Sequence, residues 1–175
     1  GDLLFVGLKD GRLLALDTAD GKIQWEFSTG NWIFSSPSVY RGVVYIGSGD
    51  GRLYALDAVT GKKRWSYLTG GGVTSAPAVN EDVVAVTSAR RMYILDANTG
   101  KHRLEIITGR GRSPALAEGL AYVANTRGVL LAIDWRKREL PFEMTARRIR
   151  VQFFLWGLGG SLPHQKGFVW SFWRP

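Results

Sequence analysis

The sequence predicts an all-β fold made of four similar units, and three observations lead to that prediction. Short runs rich in Val, Ile, Leu and Tyr alternate with Gly-containing turns, which is typical of strands joined by hairpins. Four such runs recur in each period of about 40 residues. Side-chain character alternates with a period of two within the runs, and not with the longer period of a helix. We therefore predict a β-propeller of about four four-stranded blades, or half of a larger ring of about eight blades.

The units begin near residues 3, 43, 83 and 120. In the first two, the dipeptides Asp10-Gly11 and Asp50-Gly51 lie between strand-like runs and predict tight hairpins. A further run precedes units two to four, at residues 36–39, 75–79 and 113–116, and a tight turn follows each. These runs complete the count of four strands per period.

A longer motif repeats around the aspartates at positions 17, 57, 96 and 134, which are spaced by 40, 39 and 38 residues. Ala15-x-Asp17-x-x-x-Gly21-Lys22-x-x-Trp25 recurs forty residues later as Ala55-x-Asp57-x-x-x-Gly61-Lys62-x-x-Trp65. This motif resembles the repeat of the pyrroloquinoline-quinone-type (PQQ-like) β-propellers, over residues 1 to about 143. The third unit has Leu104 where Trp would stand, and the fourth has Arg138 and Phe142 in place of Gly and Trp.

We interpret the repeated residues as structural, because a catalytic group is usually unique and these are not. Aspartate can accept hydrogen bonds from backbone amides of the following turn, and glycine suits a positive φ. Tryptophan can pack between neighbouring blades, against small Ala and Pro residues, with its indole N–H bonded to a carbonyl. The residues so interpreted are Asp17, Gly21, Trp25, Asp57, Gly61, Trp65, Asp96, Gly100 and Asp134.

The repeat is interrupted after the fourth unit by a basic and aromatic segment at residues 139–166. Residues 167–175 then resemble the Trp-type strands of the first units, so the fourth such strand is centred either on Phe142 or on Trp170. We expect the 1–143 repeats, the excursion and the final strand to form one domain.

Half of the formal net charge of +8 lies in residues 136–150, which hold six basic and two acidic residues. We interpret the segment as a docking surface for a protein or peptide, with a membrane surface as a second candidate and nucleic acid disfavoured. The alternative is a hairpin whose arginines are simply solvated. The predicted contact residues are Arg147, Arg148, Arg150, Phe153, Phe154 and Trp156.

The chain offers little chemistry for catalysis. It has no cysteine, which excludes disulfides and thiolate chemistry, and its two histidines, His102 and His164, are far apart in sequence. Nearly all carboxylates fall in repeated positions, so we expect no catalytic residue, no metal site and no cofactor.

The family resemblance implies two functional branches. One comprises quinoprotein dehydrogenases, eight-bladed propellers that hold PQQ and calcium through a carboxylate and amide set that this sequence does not reproduce. The other comprises binding and sensor propellers similar to the scaffold lipoprotein of the outer-membrane assembly machinery. We expect a non-enzymatic protein-binding scaffold or sensor, with a PQQ-dependent dehydrogenase as the alternative.

The sequence leaves the compartment open, and only the resemblance favours a periplasmic or cell-surface location. No apolar run reaches the roughly 18 residues of a spanning helix, and no signal peptide is visible before Leu3. Because the chain begins inside a strand-like run, we expect a fragment of a longer protein, or a homo-oligomer that completes the ring.

Overall fold

A computed structural model describes residues 2–136 and 168–172 of the 175-residue chain. In these residues the predicted all-β class is confirmed, since there are fifteen strands and no helix. The strands are β1 (Leu3–Gly7), β2 (Arg12–Asp17), β3 (Ile23–Ser28), β4 (Ser38–Tyr40), β5 (Val43–Gly47), β6 (Arg52–Asp57), β7 (Lys63–Leu68), β8 (Ala78–Val79), β9 (Val83–Ser88), β10 (Arg91–Asp96), β11 (His102–Ile107), β12 (Ala115–Ala117), β13 (Leu120–Ala124), β14 (Leu130–Asp134) and β15 (Phe168–Phe172).

The strands form four antiparallel sheets in chain order. Sheet 1 has the order β1-β2-β3, sheet 2 β4-β5-β6-β7, sheet 3 β8-β9-β10-β11 and sheet 4 β12-β13-β14-β15. Each short run that precedes a unit becomes the first strand of that unit's sheet. Sheet 1 differs from the predicted four strands, because its described part has three and β1 pairs only with β2.

Local backbone geometry explains the sharp turns. Gly51 ends the β5–β6 hairpin with a φ of 86°, and its amide donates to the Ser48 carbonyl at 3.2 Å. This φ lies in the left-handed region that a glycine adopts without a Cβ clash. Arg41 and Glu118 adopt positive φ in the turns that precede β5 and β13.

The core lies between the sheets, and the sheets pack face to face. Three separate apolar clusters join sheet 1 to sheet 2, sheet 2 to sheet 3, and sheet 3 to sheet 4. The first strands also approach one another, since β4 lies beside β8 and β8 beside β12. Sheets that radiate in sequence from neighbouring first strands form an arc of propeller blades. Among the described residues, no helix is long and apolar enough to cross a bilayer.

The outer strand of sheet 4 comes from the end of the chain. Trp170 of β15 lies opposite Ala132 of β14. Trp25 lies opposite Ala15 and Trp65 opposite Ala55 in the same way. The register thus gives the fourth Trp-type position to Trp170, whereas Phe142 lies outside the described residues. The backbone register shifts directly after the alanine in all three sheets.

Candidate partner-binding surface

The four repeated aspartates end strands β2, β6, β10 and β14, and each carboxylate accepts a backbone amide of the turn that follows. The Asp57 carboxylate accepts backbone amides from Val59 at 3.2 Å and Thr60 at 3.0 Å, and it pairs with Arg64 at 2.7 Å. The Arg64 contact, followed by the bonds from Thr60, holds the pKa of Asp57 well below its usual value. Asp96 has an equivalent set of partners. A carboxylate with a lowered pKa is a weak base near neutral pH. These carboxylates therefore stabilise the turns.

Two of the repeated tryptophans join neighbouring sheets. The Nε1 atom of Trp25 donates to the Ala58 carbonyl at 3.0 Å, and that of Trp65 donates to the Ala97 carbonyl at 3.1 Å. A glycine of the following sheet also lies against each ring, because a Cβ on Gly61 would lie 2.7 Å from Trp25 Cδ2 and a Cβ on Gly100 would lie 2.7 Å from Trp65 Cδ2. We call this carbonyl and glycine of the following sheet the Trp seat.

The third interface replaces this arrangement. Leu104 occupies the Trp position of sheet 3, and Trp135 of sheet 4 stands where the other sheets have Ala58 and Ala97. Both side chains belong to the cluster between sheets 3 and 4, and Trp135 is only 9% exposed. The indole that fills this interface therefore comes from the following sheet. Trp135 thus fills this interface in place of a tryptophan at position 104. This packing explains the departure at Leu104 without a functional role.

The contact residues predicted from the sequence, at positions 147–156, lie outside the described residues, as does His164. Within the described residues, no group of three His, Cys, Asp or Glu side chains could hold a metal ion. His102 is an outer-strand residue whose ring stacks on Tyr67, with centroids 6.1 Å apart. It has a packing role in this position.

One end of the arc is formed by tight hairpins and by the loops between sheets. At this end the β1–β2, β5–β6, β9–β10 and β13–β14 hairpins meet the loops that join consecutive sheets. The Ile33 amide donates to the Leu8 carbonyl at 3.1 Å, and the Gly49 amide to the Trp32 carbonyl at 2.8 Å. The Thr126 amide likewise donates to a loop carbonyl at 3.0 Å. We call this surface the hairpin end.

An aromatic pair occupies the hairpin end above sheets 1 and 2. The rings of Trp32 and Phe34 lie 4.7 Å apart, and Lys9 Nζ lies 5.8 Å from the Phe34 ring centroid. Phe34 is 54% exposed, although it belongs to the main apolar residue types. The next loop has Gly72 and Thr74 at the matching positions. Trp32 is half-buried, so the exposed part of the pair is the Phe34 ring. An aromatic pair with an exposed ring, absent at the matching positions of the next loop, marks a candidate contact site.

Four arginines occupy the same end above sheets 3 and 4. The backbone of Arg90 accepts amides from residues 108 and 109, and the backbone of Arg110 accepts the amide next to Arg127. Arg112 lies in the same loop as Arg110. All four are exposed, and none has an ion-pair partner within residues 2–136. They form a positive surface that no acidic side chain among the described residues neutralises.

The aromatic pair and the arginines belong to one continuous surface. A Cβ on Gly72 would lie 3.3 Å from Trp32, and a Cβ on Gly71 would lie 3.3 Å from Ala89, the neighbour of Arg90. Because glycine has no side chain, no side chain stands between the aromatic pair and the arginines at these two positions. Such a surface can bind an extended acidic segment that also carries apolar side chains.

Sequence reasoning missed this surface, although two signals were present. Trp32 and Phe34 depart from the glycine and threonine of the second repeat, and residues 108–113 contain two arginines without an acidic residue. Only the fold brings the β9–β10 hairpin, this loop and the aromatic pair to one end of the arc.

Comparison with known proteins adds the following matches. A family model described as outer membrane protein assembly factor BamB matches residues 1–145. BamB from Moraxella catarrhalis has a TM-score of 0.67 at 21% identity, covering 77% of this chain and 46% of that one. A europium-containing methanol dehydrogenase has a TM-score of 0.54 at 22% identity, covering 61% and 23% respectively.

The computationally designed Ika8 protein has a TM-score of 0.72 at 16% identity, covering 81% of this chain and 45% of that one. These likenesses concern the fold alone. The chain spans less than half the length of each of the three structures. Among curated protein sequences, nothing matches.

Proposed function

Because this chain belongs to the family described as outer membrane protein assembly factor BamB, we propose that it is a non-enzymatic scaffold that binds a protein partner. The hairpin end is the proposed contact surface. The observation that carries the proposal is a set of four exposed arginines, without an ion-pair partner among residues 2–136, at the same end of the arc as the Trp32–Phe34 pair. Arginine and aromatic side chains dominate the energetics of protein interfaces.

The charge of this surface specifies the partner's chemistry. Arg90, Arg110, Arg112 and Arg127 favour an acidic segment, and the Trp32–Phe34 pair favours an apolar side chain in the same segment. The basic segment predicted from the sequence, with Arg147, Arg148 and Arg150, belongs to the same proposal as a second contact region. A periplasmic or outer-membrane-associated location follows as a further part of the proposal, because it is the setting of the family.

The alternative, a PQQ- and calcium-dependent dehydrogenase, has a dehydrogenase of similar fold in its favour. The residues present do not fit it. In residues 2–136 no cluster of His, Cys, Asp or Glu could hold a metal ion, and the repeated aspartates are already bonded in turns. We therefore derive no catalytic step from this fold.

The proposal is tested with a synthetic fluorescent peptide of alternating Glu and Phe. We expect binding that weakens with salt, and at least about a tenfold loss of affinity, or about 1.4 kcal/mol, when Arg90, Arg110 and Arg127 are all changed to Gln. The matched control changes Lys62, Lys63 and Lys101, which are exposed and lie in or next to the turns at the opposite end. It removes the same charge and is expected to change affinity less than about threefold.

A second variant tests the aromatic pair. Phe34→Ser removes an exposed ring without opening the core, so it is expected to weaken peptide binding while leaving the unfolding transition in place. Equal losses in the arginine and lysine variants would show unspecific charge attraction and refute the assigned surface. Binding of anionic lipid vesicles in preference to the peptide would replace a protein partner by a membrane surface.

A further inference from the structure

The hairpin end carries different charges in the two halves of the arc. In sheets 1, 2 and 4, the hairpin at this end is closed by a glycine with a positive φ, whose amide donates to the carbonyl three residues earlier at 3.2 Å. The residue before that glycine is Asp10, Asp50 or Arg127. Asp10 pairs with Arg12 at 2.8 Å. Sheets 2 and 4 therefore carry opposite charges at the same hairpin position.

Asp50 is an ionised carboxylate beside the aromatic pair. Its Oδ2 atom accepts the Tyr54 hydroxyl at 2.6 Å and the Gly30 amide at 2.8 Å, so it lies against the loop that carries the pair. Burial raises the pKa of Asp50, but hydrogen bonds from Tyr54 and Gly30 oppose burial, and the pKa lies below its ordinary value. Among residues 2–136, the Asp50 carboxylate has no ion-pair partner. Its negative charge is therefore present near neutral pH.

The cations above sheets 1 and 2 do not make this half strongly positive. Lys9 Nζ lies 5.8 Å from the Phe34 ring centroid. The Arg52 guanidinium instead contacts the hydroxyl of Ser66, on the outer strand β7, at 3.5 Å. The charge beside the aromatic rings is thus mixed, with the Lys9 ammonium and the Asp50 carboxylate. An acidic side chain of a partner gains little there, whereas an apolar side chain can pack on the exposed Phe34 ring.

The half above sheets 3 and 4 is positive throughout. The Arg90 carbonyl accepts the amides of residues 108 and 109. The Arg110 carbonyl accepts the amide of residue 126 at 3.0 Å, next to Arg127. These bonds bring three arginines from two hairpins and one loop together. Neither of the two hairpins, nor the loop at residues 108–113, contains an acidic residue. Acidic side chains of a partner are therefore attracted to this half.

The two halves are close enough for one short segment to contact both. A Cβ on Gly72 would lie 3.3 Å from Trp32 Cη2, and a Cβ on Gly71 would lie 3.3 Å from the Cβ of Ala89. Because neighbouring Cα atoms are about 3.8 Å apart, the Trp32 ring and Ala89 are separated by no more than roughly 14 Å. Ala89 directly precedes Arg90. Four residues of an extended segment span about 13 Å, and residues four apart point to the same side of the segment.

We infer that the partner segment is extended and divided into an apolar block and an acidic block, an inference that rests on the binding function proposed above. The apolar side chains contact the Trp32–Phe34 pair, and the acidic side chains contact the arginines above sheets 3 and 4. The nearest members of the two blocks are about four positions apart, on one side of the segment. Asp50 determines this order, because its charge repels an acidic side chain placed beside the aromatic pair.

The test compares the affinities of the full chain for fluorescent peptides of identical composition, made of Phe, Glu and Ser. The block peptide has Phe at its first and third positions and Glu at its seventh and ninth, and it is made in both chain directions. The interleaved peptide has Phe at its first and seventh positions and Glu at its third and ninth. The opposite-face peptide keeps the Phe positions of the block peptide and has Glu at its sixth and eighth. We expect the tighter of the two block peptides to bind at least about fivefold more tightly than the other designs.

Asp50→Asn tests the residue that determines the order. The substitution removes the charge and keeps an oxygen that can accept from Gly30 and Tyr54. We expect the interleaved peptide to gain about threefold in affinity and the block peptide to change less. Asp82→Asn is the matched control, because Asp82 is exposed in the β8–β9 turn at the opposite end. It is expected to change neither affinity. Circular dichroism checks that both variants keep their strands.

The outcomes separate this inference from the function on which it rests. Equal binding of all the peptides would overturn the division into two blocks and leave the proposed function standing. If none of the peptides binds, the proposed function fails and the inference fails with it. An Asp50→Asn protein that discriminates between the block and interleaved peptides as strongly as the wild type would overturn the role assigned to Asp50.

Discussion

Two tryptophans that pack between sheets, Trp65 and Trp135, are expected to respond differently to the same Trp→Phe substitution. Trp65 donates its Nε1 hydrogen to the Ala97 carbonyl at 3.1 Å. Trp135 is buried, and its Nε1 has no hydrogen-bond partner among the described residues. Changing Trp to Phe removes the same atoms at both positions. Trp135 is buried whereas Trp65 is half-buried, so the packing loss is larger at Trp135 and opposes the difference in hydrogen bonding.

The expected magnitude follows from these two environments. Trp65→Phe loses a hydrogen bond with a net value of about 0.5–1.5 kcal/mol. Trp135→Phe removes a buried donor that has no partner among the described residues, and a buried donor without a partner costs about 1–3 kcal/mol in the native protein. From hydrogen bonding alone, we therefore expect the free energy of unfolding to be lower for Trp65→Phe than for Trp135→Phe by about 1.5–4.5 kcal/mol, and the larger packing loss at Trp135 reduces this difference.

Urea unfolding followed by circular dichroism measures this difference. The slope of the free energy of unfolding against urea concentration is also compared, to check that both variants unfold from a similar native state. Trp25→Phe serves as a replicate, because its indole donates to the Ala58 carbonyl at 3.0 Å. Equal stability of the Trp65 and Trp135 variants, or greater loss in Trp135→Phe, would refute the assignment of the two interface types.

The remaining predictions concern unfolding in acid, the packing of Gly100 against Trp65, and amide exchange in β1. The ion pair with Arg103, together with hydrogen bonds from Thr99, lowers the pKa of Asp96 from 3.8 to about 2. Arg103 makes the largest contribution, and burial opposes it. The stability from this carboxylate is therefore present above pH 3.8 and lost as the pH falls towards 2. Acid unfolding curves should show this loss, and Arg103→Gln should reduce it. Gly100→Ala should lower the free energy of unfolding, measured in urea, by about 2–5 kcal/mol. Gly100 has a positive φ, and an added Cβ would collide with Trp65. Amide exchange should be faster in β1, which pairs only with β2 among the described strands, than in β5, which pairs on both sides.

Much of the architecture could be predicted because it repeats. The spacing of Asp17, Asp57 and Asp96 fixes the period, and the Asp-Gly dipeptides fix the hairpins, so the sheets follow from local rules. The family resemblance is likewise confirmed by the match over residues 1–145. These signals are short in range and recur several times, which makes each one easier to recognise.

Features that depend on contacts between sheets could not be predicted in the same way. The exchange of a Trp position between Leu104 and Trp135 looks like decay of the repeat until both side chains are found in one cluster. The hairpin end combines Phe34, Arg90 and Arg127, which are far apart in sequence. Their proximity depends on how the sheets are arranged, and residue spacing carries no record of it.

The central claim, that the hairpin end is the protein-binding surface, is tested most directly by a hydrogen-exchange footprint with the alternating Glu and Phe peptide. We predict that the peptide slows exchange in residues 30–34, 70–72, 89–91 and 109–113, and leaves residues 17–22, 57–62 and 96–101 at the opposite end unchanged. Protection of the opposite end, or no protection in either set, would contradict the account.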